Sequence, residues 1–467
     1  MSDKADKQAA CRLAAPTRAL GHSGAQEPAV KAAHLIALAT ATLLAACSEP
    51  PLQSNEASTG PNPTLPAPKR SLLPTMQIAP ATGWPQGTTP TTAAGTRASA
   101  FATGLSHPRW LLVLPNGDVL VAESNKPPKG DGAPGGGIRG WFMARTMAKA
   151  GAGVPSPDRI TLLRDADSDG VAELRNVFID KVKSPFGMVL IGQDLYVASA
   201  EEVLRFPYTE GATAISQAGT ALTSLPGGPI NHHWTKNIIA SRDGRKLYAT
   251  VGSNSNIGEN GMDAEDGRAA IWEIDIQTGQ KRLFATGLRN PNGMAWDAQT
   301  GALWTVVNER DELGNDLVPD YLTSVKDGGF YGWPYSYFGQ HVDERVQPPR
   351  PDLVAKAIKP DYALGSHVAP LGLALAEGTT LPDPFRGGMF VGLHGSWNRK
   401  PMAGYKVAFV PFSAGRPNGP MQDLLTGFVD SEGNARGRPV GLALDRRGAL
   451  LVADDVGNAV WRVTAMP

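Results

Sequence analysis

A strand–turn–strand pattern that recurs from Ser99 onward constrains this chain more than any other feature. Phe101-Ala-Thr-Gly-Leu105 returns 183 residues later as Phe284-Ala-Thr-Gly-Leu288, and more loosely as Leu424-Leu-Thr-Gly-Phe428. After each comes a Pro- or Gly-containing turn, an apolar strand, a polar Gly turn and a second apolar strand. The runs Ser106–Ser124, Asn290–Val307 and Gly437–Asp455 show this most clearly, and weaker copies begin near Ser184, His233 and Ala369. In the last clear run, GRPVGLALDRRGALLVADD reads as a hairpin. Six copies in residues 99–467 give about 61 residues each, against about 40–45 for a four-stranded propeller blade. The excess belongs to loops, Lys126–Pro157 and Arg310–Pro360 above all. Hairpins that need burial on both faces and few exposed edges are satisfied by a closed ring of blades. The expectation is therefore an all-β chain forming a six-bladed β-propeller of four-stranded antiparallel blades over residues 99–467. Ser99–Leu105, which precedes the first full copy, is predicted to be the outer strand of the last blade. Seven shorter blades are the alternative count, and two stacked β-sandwiches the alternative fold.

Composition supports this reading. The 53 glycines and 39 prolines in 467 residues make up about a fifth of the chain, against about an eighth in ordinary domains. They punctuate many short strands. Forty-four basic residues balance 44 acidic ones, which excludes a general nucleic-acid binder. Two cysteines exclude a disulfide scaffold and a Cys₄ zinc site.

The first hundred residues read differently. Leu35–Ala46 is an apolar run too short to span a bilayer, which takes about 20 residues. Lys31 precedes it and Leu44-Ala45-Ala46-Cys47 closes it, so residues 1–46 are predicted to be a signal peptide whose end resembles a bacterial lipoprotein signal. Cys47 is then the lipidated residue. Residues 47–98, rich in Pro, Ser and Thr, are predicted to be a disordered tether. The expected location is the cell envelope, facing the periplasm, with Ser48 favouring the outer membrane.

Several residues can carry chemistry. Asn231-His232-His233-Trp234-Thr235-Lys236-Asn237 opens a strand near the expected central channel, and His233 there can act as a general base. A metal-binding His pair and plain packing are the alternatives. Arg289, Arg436 and Arg438 occupy equivalent blade positions. Arg436 and Arg438 alternate along a strand and are predicted to point the same way, suited to carboxylates or phosphates or to simple solvation. Asp165-Ala-Asp167-Ser-Asp169-Gly170 begins like a calcium loop, with Glu173 at the ninth place and Asn176 at the twelfth. An acidic hairpin tip is the alternative. A second acidic run covers Glu309, Asp311 and Glu312. The chain has no Walker loop, G-x-S-x-G or H-E-x-x-H motif.

The segments NHHWTKNIIASRDGRKLYATVGSNSN, GLRNPNGMAWD, NERDELGNDLVPDYL, GGFYGWPYSYFG, HGSWNR and GRPVGLALDRRGALLVADD together resemble the glucose/sorbosone dehydrogenase family, most closely its L-sorbosone dehydrogenase-like branch. The likeness spans roughly Phe101 to Val463. It implies a propeller that uses pyrroloquinoline quinone (PQQ) and Ca²⁺ to oxidise a sugar or sugar-derived aldehyde and passes electrons to a cytochrome or quinone. On this resemblance His233 is the base. Arg289, Asn290, Lys236, Asn237, Arg436 and Arg438 attend the cofactor, and Asp311 and Glu312 lie on the calcium loop. Two departures stand out. Gly252-Ser253-Asn254 replaces an aspartate that supports the base, and His394 or Arg399 stands in for a cofactor lysine. A calcium-dependent lactonase propeller and a non-catalytic propeller are the other function classes.

Overall fold

The computed structural model describes residues 53–69, 76–128, 145 and 148–466. The signal peptide and Cys47 lie outside the described residues. Six four-stranded antiparallel sheets account for the body of the fold. Blade 1 comprises Pro108–Val113, Val119–Glu123, Arg159–Arg164 and Leu174–Ile179. Blade 2 runs from Met188–Ile191 to Thr220–Ser224 and blade 3 from Ile238–Ala240 to Lys281–Thr286. Blade 4 runs from Asn290–Trp296 to Tyr362–Ser366 and blade 5 from Pro370–Leu375 to Gln422–Thr426. Blade 6 takes Pro439–Leu444, Leu450–Asp454 and Ala459–Ala465, and its outer strand is Thr96–Ala102 from the other end of the chain. The ring therefore closes as the sequence led one to expect, with six blades and mixed-end pairing in the last.

Glycines set how closely the inner strands approach one another. A Cβ on Gly293 of blade 4 would lie 2.6 Å from the Leu371 carbonyl of blade 5, and one on Gly372 would lie 2.1 Å from the Val440 carbonyl of blade 6. Gly441 of blade 6 stands in the same relation to the Arg109 carbonyl of blade 1. Any larger residue at Gly372 would wedge two blades apart, because backbone cannot yield as a side-chain tip can. Apolar residues from adjacent sheets fill the wedges between blades. Between blades 6 and 1 these are Phe101, Leu111, Val121, Leu451 and Val460. Fully burying each such side chain stabilises the fold by about 1.5–3 kcal/mol.

The segment read as a free tether is docked wherever it is described. Thr59–Gly60 adds to the outer edge of blade 4 and Thr91–Thr92 to the outer edge of blade 5. Ala79 is fully buried, and Trp84 packs against Phe428 and Trp461 with ring centroids 5.3 Å away in each case. Leu65 packs against a core cluster of blades 3 and 4. A few apolar anchors and two strand additions outweigh the polar, Pro-rich average on which the disorder expectation rested. Among the described residues no helix is long and apolar enough to cross a membrane.

Candidate active site

One mouth of the ring collects the start of every inner strand and the end of every second strand. Of the residues expected to do chemistry, His233, Arg289, Asn290 and Arg438 sit at these positions. His233 precedes the inner strand of blade 3, and Ser253 follows that blade's second strand. The His233 Nδ1 lies 2.8 Å from the Ser253 carbonyl and 3.1 Å from its hydroxyl. A carbonyl only accepts, so Nδ1 carries the proton and Nε2 keeps its lone pair. Burial, reinforced by His232 and Arg289, pushes the imidazole well below its ordinary value. His233 is thus a neutral imidazole, oriented by a backbone carbonyl where the resemblance led one to expect an aspartate. His232 and His233 do not take opposite faces as strand residues would. Residues 231–237 precede the strand, and the two rings meet edge to face at 4.6 Å.

Gly252 brings His233 and Asn290 together. A Cβ there would come within 2.3 Å of Asn290 Oδ1 and 2.5 Å of His233 Cβ. Asn290 Oδ1 is buried without a partner among the described residues. Arg289 is fixed by its neighbours: Nε reaches the Asn256 carbonyl at 3.2 Å, Nη1 the Glu309 carbonyl at 2.6 Å, and Nη2 the Asn256 amide oxygen at 3.1 Å. Asp311 lies 3.4 Å from the same guanidinium.

The opposite wall comes from blades 5, 6 and 1. Arg438 is buried, and its Nε and Nη2 have no partner among the described residues. It lies 4.7 Å over the Tyr405 ring, a cation–π contact. Its amide donates to Asp454 Oδ1 at 2.7 Å. Beside it, Asp455 receives Arg109 and lies 2.9 Å from His394 Nε2, with His107 Nε2 at 3.9 Å. Burial pushes the Asp455 carboxyl up, but the His394 and His107 imidazoles and the Arg109 guanidinium around it hold it well below the usual carboxylate range. The Arg109 guanidinium lies 5.7 Å from the Trp234 ring, one residue from His233, and its Nε has no partner among the described residues.

Sequence reasoning missed His107, Arg109 and Asp455 and left His394 as one of two substitutes for a lysine. The available signal was repeat position. His107-Pro108 stands where Arg438-Pro439 does, and His394 and Asp455 each follow a second strand, as Ser253 does.

Other expected residues go elsewhere. Lys236 is fully buried, and its ammonium faces the Trp234 carbonyl at 3.1 Å, Asn231 Oδ1 at 3.3 Å and the His233 carbonyl at 3.4 Å. It braces the His233 loop from behind. Asn237 is buried and donates to the Asn292 carbonyl at 3.1 Å, leaving Oδ1 unpartnered among the described residues. Arg436 and Arg438 do not point together. The strand begins only at Pro439, and the charge of Arg436 acts on Asp430, that of Arg438 on His394 and Tyr405.

The loop expected to hold Ca²⁺ does not offer an open oxygen set at Asp311. Its Oδ1 receives Asn398 at 2.7 Å and lies 3.3 Å from His367. Its Oδ2 faces Arg289, and its carbonyl accepts from Arg345 at 3.1 Å. Glu312, next along, has φ +72°. With both carboxylate oxygens and its carbonyl already engaged, Asp311 does not fit the ion, which takes six to eight oxygens. Asp165, Asp167, Asp169 and Glu173 do place four carboxylates within 4.8 Å of one another. They lie on the hairpin between the two outer strands of blade 1, away from the mouth. There Arg447 of blade 6 pairs with Asp165.

Residues 159–321 and 352–466 match the TrAA12-like family. The chain belongs to that family. The pyrroloquinoline quinone-dependent pyranose dehydrogenase of Coprinopsis cinerea is 24% identical over 443 residues, covering 80% of this chain and 54% of that protein. The chain spans 54% to 62% of the lengths of the curated relatives it matches. The holo form of the C. cinerea pyranose dehydrogenase PQQ domain superposes with a TM-score of 0.64 at 23% identity, covering 83% of this chain and all of that one. The calcium structure of the Trichoderma reesei AA12 enzyme gives 0.65 at 18% identity, covering 84% and 99%. These structures establish the shared fold.

The donor set at the mouth fits PQQ. The cofactor's carboxylates require cations and N–H donors, and the buried Arg438 and Arg109 have nitrogens unpartnered among the described residues.

Proposed function

We propose that this TrAA12-like chain is a PQQ-dependent dehydrogenase of sugars or sugar-derived aldehydes, with His233 as general base. The buried Arg438, with two guanidinium nitrogens lacking an acceptor among the described residues, carries this reading. A buried cation in that state is costly unless an anion completes it. His233 Nε2 takes the proton of the substrate's C1 hydroxyl. The Nδ1–H bond to Ser253 keeps the ring aimed and in the right tautomer throughout. Asn290, beside His233, orients the oxygen being deprotonated. Arg438 and Arg109 neutralise carboxylates on the far wall. Bound PQQ supplies the two-electron acceptor for the hydride. A lactonase would need an acidic cage on the inner strands, and the carboxylate cluster found among the described residues is in the hairpin turn between the two outer strands of blade 1 instead.

The full chain should bind PQQ and reduce a dye when given a panel of aldoses and sorbosone. Failure both to bind PQQ and to reduce the dye with any of them would overturn the proposal. Calcium is proposed as a structural ion at Asp165, Asp167 and Asp169. Asp165 Oδ1 is buried without a partner among the described residues, which supports that placement. Calcium should raise the melting temperature of chelator-treated protein, and Asp167→Asn should abolish the rise; equal shifts in both proteins would count against the site. Lipidation at Cys47, attachment to the outer membrane and a cytochrome or quinone acceptor are proposed from the sequence pattern. Cys47→Ser should release the protein into the soluble fraction, and retention with membranes would refute the anchor.

A further inference from the structure

Asp454 accepts the Arg438 amide and is fully buried, with no cationic side chain among its hydrogen-bond partners in the described residues. Its Oδ1 accepts the amides of Arg438 at 2.7 Å and Gly457 at 2.8 Å. Its Oδ2 accepts two indole N–H groups, from Trp461 at 3.0 Å and from Trp84 at 2.7 Å. Three of these donors belong to blade 6. The fourth, Trp84, lies 370 residues away, on the docked N-terminal segment.

That segment runs along loops of the same mouth. Gln77 donates to the Trp397 carbonyl of blade 5 at 3.0 Å, and Ala81 to the Lys149 carbonyl of blade 1 at 2.8 Å. Thr82 and Ala435 of blade 6 are joined at 2.9 Å, and Ala435 donates back to Pro80 at 2.7 Å. The socket around Trp84 is cut to shape. A Cβ on Gly437 would lie 2.6 Å from the indole nitrogen and 2.1 Å from Asp454 Oδ2, and one on Gly457 would meet the same two groups.

The Arg438 side chain has no strong tether of its own. Nη1 reaches the His394 carbonyl only at 3.5 Å, while Nε and Nη2 are unpartnered among the described residues. Its position is set by its amide on Asp454 and by its stack on Tyr405.

We infer that Trp84 is a positioning residue for Arg438, acting through Asp454, so that the N-terminal segment is part of the anion-binding wall. The inference rests on the proposed role of Arg438. It assigns to residues 76–84 a function that a tether would not have: they complete the site from outside the blade that bears it.

Trp84→Phe keeps an aromatic ring against Phe428 and Trp461 but removes the N–H. Phe428→Leu weakens the same packing and keeps the N–H. Two readouts in the full chain separate the cases: hydrogen exchange at the Arg438 amide without cofactor, and PQQ affinity by equilibrium titration. Losing one hydrogen bond to a buried carboxylate should raise exchange at Arg438 roughly tenfold in Trp84→Phe and weaken PQQ binding by a similar factor. Phe428→Leu should lower the melting temperature with both readouts near wild type. Wild-type exchange and wild-type PQQ affinity in Trp84→Phe would overturn the inference, as would equal changes in Phe428→Leu. If the unmodified chain bound no PQQ, the proposed function would fail, and the exchange measurement would still decide whether Trp84 positions Arg438.

Discussion

The two walls of the mouth are built on opposite principles. On the wall from blades 3 and 4, Arg289 has committed its donors to Asn256 and Glu309, and the His233 Nδ1 is fixed on Ser253. On the wall from blades 5, 6 and 1, Arg438 and Arg109 keep buried nitrogens without acceptors among the described residues. The first wall fixes its guanidinium and its imidazole within the protein, which on the proposed reading aims a base. On the same reading the second is completed by an anion. Orientation and charge compensation are thereby separated in space, so a change on one side should affect turnover and on the other affinity.

Removing the base tests this separation most severely. His233→Ala should lower kcat by about 10²–10⁴ while PQQ affinity stays within a few-fold, read by single-turnover kinetics and titration. Parallel loss of both properties would show that the walls are not independent. Arg438→Ala should do the reverse, weakening PQQ binding by about ten- to a hundredfold with kcat at saturating cofactor nearly unchanged. Gly252→Ala should push His233 and Asn290 apart. We expect about a tenfold loss in kcat with unaltered cofactor affinity, because a small misplacement of reacting groups is costly.

The smallest effect concerns pH. The folded His233 sits well below the ordinary histidine value, so it stays unprotonated as pH falls through 6.5. The profile of kcat/KM should be flat from pH 8 down to about 6.5, with its acid limb lower still. An inflection at the ordinary histidine value would mean that the base is solvated or is another residue.

Most of the fold was legible because each blade repeats one hairpin with a glycine turn, and ring closure followed from the unpaired strand before the first full copy. His233 and Arg438 were legible as motif residues at the starts of inner strands. The remainder of the second wall was not. Arg109 and Asp455 lie 346 residues apart and meet only because the ring closes. The pairing of Arg436 with Arg438 was misjudged because period-two alternation holds within a strand, and both residues precede one. The docked N-terminal segment was hidden by averaging. Its prolines and serines dominate the composition, while Ala79 and Trp84 determine where it lies.

The strand Ala459–Ala465 is held between Leu450–Asp454 and Thr96–Ala102, which joins early sequence to late sequence within one sheet. During synthesis, Thr96–Ala102 emerges long before its partner exists and must wait for it with an unpaired edge. Arg438 and Asp455 belong to the sheet that is finished by this late pairing. A chain cut short within blade 6 would keep the strands of blades 3 and 4 and lack the pairing that completes the Arg438 sheet. The Arg438 wall can therefore be finished only after Ala459–Ala465 has met Thr96–Ala102, a contact of very long sequence separation, whereas the strands that carry His233 pair locally.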